Sequence, residues 1–168
     1  STTPENFTDE YMIFNFTVKN TRNDDKLIVD KTAPTTATVG QSIRYDVVTV
    51  KNESRIPVDK FTLQDTLPDN VYMTTLYTGS YNEKVTMNVM YKTNLSSDWK
   101  IWQQNISSSQ GVELTTSSLK LSEKEYVTEF AIDYGTVPAK FSANAGDHPY
   151  YFVTIGNAVD SSAIIRVC

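Results

Sequence analysis

Apolar and polar residues alternate with a period of two along most of this chain, the pattern of strands that bury one face. Residues 11–18 put Met12, Phe14, Phe16 and Val18 in one phase, and residues 42–51 do the same with Ile43, Tyr45, Val47 and Thr49. Val85, Met87, Val89 and Tyr91 alternate with Thr86, Asn88 and Met90, and Phe130, Ile132 and Tyr134 mark another strand, which Gly135 is expected to end. Further strands are predicted over 26–31, 61–67, 71–78, 151–159 and 163–167, with a short one over 99–104. Between them lie turn-forming clusters: 20–25, Asn52-Glu53-Ser54 with Pro57, Pro68-Asp69-Asn70, 94–98, and a loop through Asp147-His148-Pro149. Only residues 114–126 mix periods, so a short helix competes there. Nine or ten short strands separated by turns predict an all-β, two-sheet antiparallel sandwich. Residues 26–168 are expected to form one domain, and residues 1–25 an N-terminal arm that adds one strand.

Three polar residues interrupt apolar faces. In the strand Phe61-Thr62-Leu63-Gln64-Asp65-Thr66-Leu67, Asp65 shares a face with Phe61, Leu63 and Leu67. Lys31 shares one with Leu27 and Val29, and Asn157 is in line with Tyr151, Val153, Ile155 and Val159. An isolated Asp on such a face costs several kcal/mol unless paired or neutralised, so each invites a partner.

Composition narrows the classes. Six Gly against ten Tyr in 168 residues, 39% of them hydrophobic, suits pleated half-buried surfaces in one core. The net charge is -5 and the 15 Lys and Arg are scattered, so no basic stripe exists to track nucleic acid. No apolar run approaches the roughly 20 residues that span a bilayer, so no membrane contact is expected of this piece. Cys168 is the one cysteine, which excludes an intrachain disulfide. The chain opens Ser1-Thr2-Thr3-Pro4 and reads as a piece of something longer, with any export signal or anchor expected outside it.

Burial without a metal favours the neutral form of an amine and the protonated form of a carboxyl. A neutral Lys31 is a nucleophile. A protonated Asp65 would polarise the Asn157 carbonyl and carry a proton, so that ammonia leaves and an amide joins Lys31 to Asn157. This is a single-turnover crosslink rather than an enzyme activity, and it needs no cofactor or metal. A plain buried Lys31–Asp65 ion pair, or a phase shifted by one residue, accounts for the same alternation. Lys26 is a rival amine, in the opposite phase with Ile28 and Asp30.

The stretches 27–40, Leu63-Gln64-Asp65-Thr66-Leu67-Pro68 and Ile155-Gly156-Asn157-Ala158-Val159 resemble the conserved repeat domains of Gram-positive surface adhesins and pilins. The segment 132–141 is similar to part of these proteins as well. The resemblance covers roughly residues 26–160 and implies an immunoglobulin-like sandwich of the collagen-adhesin type. It also implies a self-generated isopeptide bond between Lys31 and Asn157, promoted by Asp65. The expected function is thus a stalk or adhesin module, extracellular and held to the cell wall through regions beyond this piece, with neighbouring domains of the same protein as partners. The rivals are a module that presents loops to a host protein or glycan, and an accessory domain of an extracellular hydrolase.

Weaker signals point to structure. His148, the one His, beside Asp147, is read as a solvated loop residue, and Asn23-Asp24-Asp25 as a turn, since it lacks the spacing of a calcium loop. Trp99 and Trp102 offer a sugar-stacking platform, but packing is the usual fate of such residues. The sequons at Asn6, Asn15, Asn52, Asn94 and Asn105 are read as compositional.

Overall fold

The computed structural model describes residues 14–15, 31–32, 36–47, 49–156 and 164–166. The strands are β1 (Phe14–Asn15), β2 (Lys31–Thr32), β3 (Thr36–Thr38), β4 (Ser42–Val47), β5 (Val58–Thr66), β6 (Val71–Tyr77), β7 (Thr86–Thr93), β8 (Ser96–Ser107), β9 (Glu113–Thr115), β10 (Val127–Val137), β11 (Tyr150–Ile155) and β12 (Ile164–Arg166). One sheet has the order β1-β5-β10-β7-β8, the other β2-β4-β11-β6-β9, and β3 pairs with β12. Pairing is antiparallel except at β1, which lies parallel to β5 with Phe14 opposite Leu63. The fold is the all-β two-sheet sandwich that the alternation predicts. From β4 to β11 the chain changes sheet at every connection but one, the β7–β8 turn at Asn94-Leu95.

The predicted phases survive in the core except at Thr49, which lies beyond the end of β4 and is half-buried while its neighbour Val50 is the buried residue. Ile43, Tyr45 and Val47 of β4, Phe61, Leu63 and Asp65 of β5, Met87, Val89 and Tyr91 of β7, and Phe130, Ile132 and Tyr134 of β10 are all buried. Three details differ. Gly135 does not end its strand: β10 runs on to Val137 through register shifts on both sides of Gly135, whose φ of 69° suits a residue without Cβ. The stretch read as ambiguous holds β9 and one 3-10 turn, Thr116–Leu119, and no α-helix. The short strand predicted over 99–104 is the middle of the twelve-residue β8, whose polar flanks pair with β7. Ala131 and Met90 face each other on the outer side of the first sheet and form a small second cluster with Trp99.

Four aromatic residues close one end of the core. Phe141 stacks on Tyr81 at 5.0 Å and 6°, and it meets Phe61 and Tyr134 edge-on. The Tyr81 hydroxyl donates to the carbonyl of Thr78 (2.8 Å) and lies 2.6 Å from the Tyr134 hydroxyl, which therefore donates to it. Burial pushes both phenols well above their ordinary range, so both remain donors. Asn52, read from sequence as part of a turn and a sequon, is 5% exposed. Its amide donates to the carbonyls of Ile56 and Pro138 while its oxygen accepts the Ser54 N–H, so it bridges two loops rather than offering itself for modification.

Beyond this cluster, the Asp147 carboxylate accepts hydrogen bonds from Tyr77 (2.6 Å) and Ser80. His148, expected in solvent, is half-buried with Nε2 3.2 Å from an Asp46 oxygen. The Ser80 and Tyr77 hydroxyls hold the Asp147 carboxyl below the usual carboxylate range, with His148 adding to the effect. Among the described residues no helix is long and apolar enough to cross a membrane.

Two predictions follow from this packing. Phe141→Ala opens a fully buried aromatic site and should cost about 3–5 kcal/mol, whereas Tyr134→Phe removes one hydrogen bond and should cost about 1 kcal/mol; urea unfolding ranks them, and equal losses would contradict the packing assignment. Asp147, with a folded pKa below its unfolded value of about 3.9, contributes stability that is present above that value and lost as pH falls through the folded one. Melting temperature should therefore drop as pH falls below about 4, and Asp147→Asn should make that drop smaller.

Candidate functional site: a buried acid between the sheets

Leu63, Asp65 and Leu67 share a phase that faces the opposing sheet, and this carries the Asp65 carboxyl into the core at 2% exposure. β10 fixes its height, with Phe130 directly opposite Asp65. The second sheet answers with Tyr151 of β11, which pairs with Tyr45 on one side and Leu76 on the other. The Tyr151 hydroxyl donates to Asp65 Oδ2 at 2.5 Å, joining residues 86 apart in sequence across the two layers. Its ring lies 5.0 Å from those of Tyr45 and Phe130, the latter edge-on. Burial, then the Asp65 charge and the hydrogen bond to it, push the Tyr151 hydroxyl well above the ordinary phenol range, so it serves as a donor.

Of the three polar residues that the sequence singled out, Asp65 alone is described with its side chain. Lys31 is described as backbone alone: in β2 it lies opposite Val47, the last residue of β4. Asn157 and the rival Lys26 lie outside the described residues. The Val47 N–H donates to the carbonyl of Pro149 (2.9 Å), which sets position 31 level with the beginning of β11. At the other end the Gly156 N–H donates to Asn70 (2.8 Å) and Ile155 accepts from Gly40 (2.9 Å). At about 3.3 Å per residue these two levels are roughly 23 Å apart along the strand.

Tyr151 is the residue that alternation missed. It was legible only as an apolar-face aromatic, although a buried Tyr hydroxyl nearly always finds a polar partner, and an unexplained Asp on a facing strand is such a partner. The other sequence candidates pack as structure. Trp99 lies under Lys92 Nζ at 4.6 Å, and Trp102 meets Tyr91 edge-on. No group of three His, Cys, Asp or Glu that could hold a metal ion occurs among the described residues.

A double-mutant cycle tests the inter-sheet contact. Tyr151→Phe and Asp65→Ala should couple by about 0.5–3 kcal/mol, the range for a buried hydrogen bond. Coupling under about 0.5 kcal/mol would show that the two side chains do not tie the sheets together.

No family model, curated protein or solved structure matches the chain, so its reading rests on this geometry and on its sequence motifs.

Proposed function

We propose that this chain is a load-bearing structural module of a bacterial cell-surface protein, a stalk or adhesin domain stiffened by a self-formed amide between Lys31 and Asn157. The observation that carries the reading is the Asp65 carboxyl, buried between the sheets of a sandwich and held at a fixed height by Tyr151. In the reaction the neutral Lys31 amine attacks the Asn157 side-chain carbonyl. A new C–N bond forms, the bond to the amide nitrogen breaks, and Asp65 passes the amine's proton to the departing nitrogen, which leaves as ammonia. A covalent tie between an early and a late strand restricts the unfolded chain as a disulfide does, and it persists under reducing conditions.

The reading makes a structural demand. Since position 31 and Gly156 stand at opposite ends of β11, the bond requires β2 to adopt another register from the one described. Crosslinking would thus come with a strand shift of several residues at one flank of the second sheet.

Intact mass decides. The folded protein should weigh one ammonia less than its sequence, with a branched tryptic peptide joining Lys31 to Asn157. Full sequence mass in folded protein would overturn the crosslink, and linkage through Lys26 would overturn the phase assignment. Asp65→Ala should fold without the bond and lose the crosslink's stabilisation, about 2–4 kcal/mol by analogy with a disulfide, together with about 3–5 kcal/mol for orphaning a buried amine. Lys31→Met should lose only the first, so melting temperatures should fall in the order wild type, Lys31→Met, Asp65→Ala.

A further inference from the structure

A cleft of about 420 Å³ opens at one end of the sandwich, between the beginnings of β6 and β10, the 3-10 turn and the loop 120–126. Tyr72 and Tyr126 cross in its wall, ring centroids 4.8 Å apart and planes at 87°, both half-buried. Neither phenol oxygen has a hydrogen-bond partner among the described residues. Glu125, next to Tyr126 in the chain and lining the same cleft, is fixed as an acceptor: its carboxylate receives the Thr93 hydroxyl (2.7 Å) and both the N–H (3.1 Å) and the hydroxyl (3.0 Å) of Ser122. The Thr93 hydroxyl and then the Ser122 N–H hold Glu125 below the ordinary carboxylate range. Lys120, in the left-handed conformation at φ 52° where the 3-10 turn ends, stands exposed at the rim and makes no ion pair among the described residues.

This set of groups selects among ligand classes. A simple anion would meet the Glu125 charge, and an apolar ligand would desolvate both a carboxylate and an ammonium without pairing them. A polyhydroxylated ring satisfies every group at once. Its C–H face packs on a phenol ring, its hydroxyls donate to Glu125, and they accept from Lys120 and the two tyrosines. The cleft volume is that of a small-molecule site, and its walls are strand ends and a hydrogen-bonded turn, which hold the geometry before a ligand arrives. We propose that the Tyr72–Tyr126 cleft is a binding site for a neutral saccharide. The inference does not depend on the crosslink.

The test is a panel of immobilised neutral oligosaccharides built from hexose and N-acetylhexosamine, with sialylated counterparts, followed by titration of whichever is retained. Wild type should hold neutral members, Tyr126→Ala should weaken binding about tenfold or more, and Lys120→Ala should weaken it several-fold with an unchanged melting temperature. Should Tyr126→Ala fail to fold, Tyr126→Phe, which keeps the ring and deletes the hydroxyl, and Lys120→Ala take its place and should each weaken binding. Folded Asp65→Ala should bind as wild type does. No retention at millimolar saccharide, retention of sialylated members alone, or binding unmoved in the cleft variants would overturn the proposal.

Discussion

Burial of one carboxyl between two sheets is the constraint on which this sandwich turns. Asp65 occupies a position whose neighbours in phase, Leu63 and Leu67, belong to the core, and an ionisable group there is costly unless something answers it. Tyr151 answers from the opposite layer at 2.5 Å. The contact therefore fixes the height of β11 against β5, because a slip of one residue would turn Tyr151 outward and take its hydroxyl away from the carboxyl. A purely apolar face tolerates several registers; this one distinguishes among them. Whatever further chemistry Asp65 performs, it begins from a side chain already oriented by the fold.

Connectivity makes that single contact consequential. Because the chain passes between sheets at nearly every connection, few strands are stabilised by sequence neighbours, and pairing is set by long-range contacts. The aromatic group around Phe141 serves the same end at another part of the core, where Tyr134 and Tyr81 pass a hydrogen bond to the carbonyl of Thr78. Both places use tyrosines in the same way: the ring fills core volume and the hydroxyl hydrogen-bonds a polar group buried beside it.

The alternation of β4, β5, β7 and β10 was legible because one face of each strand is buried and the other is not, and a period-two signal is strongest there. The position of Asp65 on the inner face followed from that same signal. Gly135 was misread because a glycine interrupts a pattern equally whether the strand stops or bulges; only the partner strand, with Phe61 opposite Gly135, distinguishes the two. The polar flanks of β8 were invisible because an edge strand with exposed residues carries no burial period. Asn52 was read rightly as part of a turn, which its side chain closes on the Ser54 N–H, but its burial was invisible because its partners at Ile56 and Pro138 are set by tertiary structure. Tyr151 appeared only as an apolar tooth of its strand, because alternation reports which way a side chain faces and not what waits across the gap.

Gly156 shows how the end of β11 and the cleft are linked. A Cβ placed there would come within 1.8 Å of the Tyr72 ring, so the absence of a side chain at 156 is what allows Tyr72 to approach the strand end this closely. Tyr72 in turn supplies the ring against which Tyr126 stands edge-on. The backbone at 156 is itself held by the carbonyl of Asn70, two residues before Tyr72, so strand end and aromatic wall are fixed by the same short segment. A residue larger than glycine at 156 would displace the Tyr72 ring and with it one wall of the cleft, while the Tyr151–Asp65 contact, five residues back along β11 and on the inner face, would feel little of it. One strand thus serves two separable purposes: its middle sets the register of the core, and its end shapes the surface.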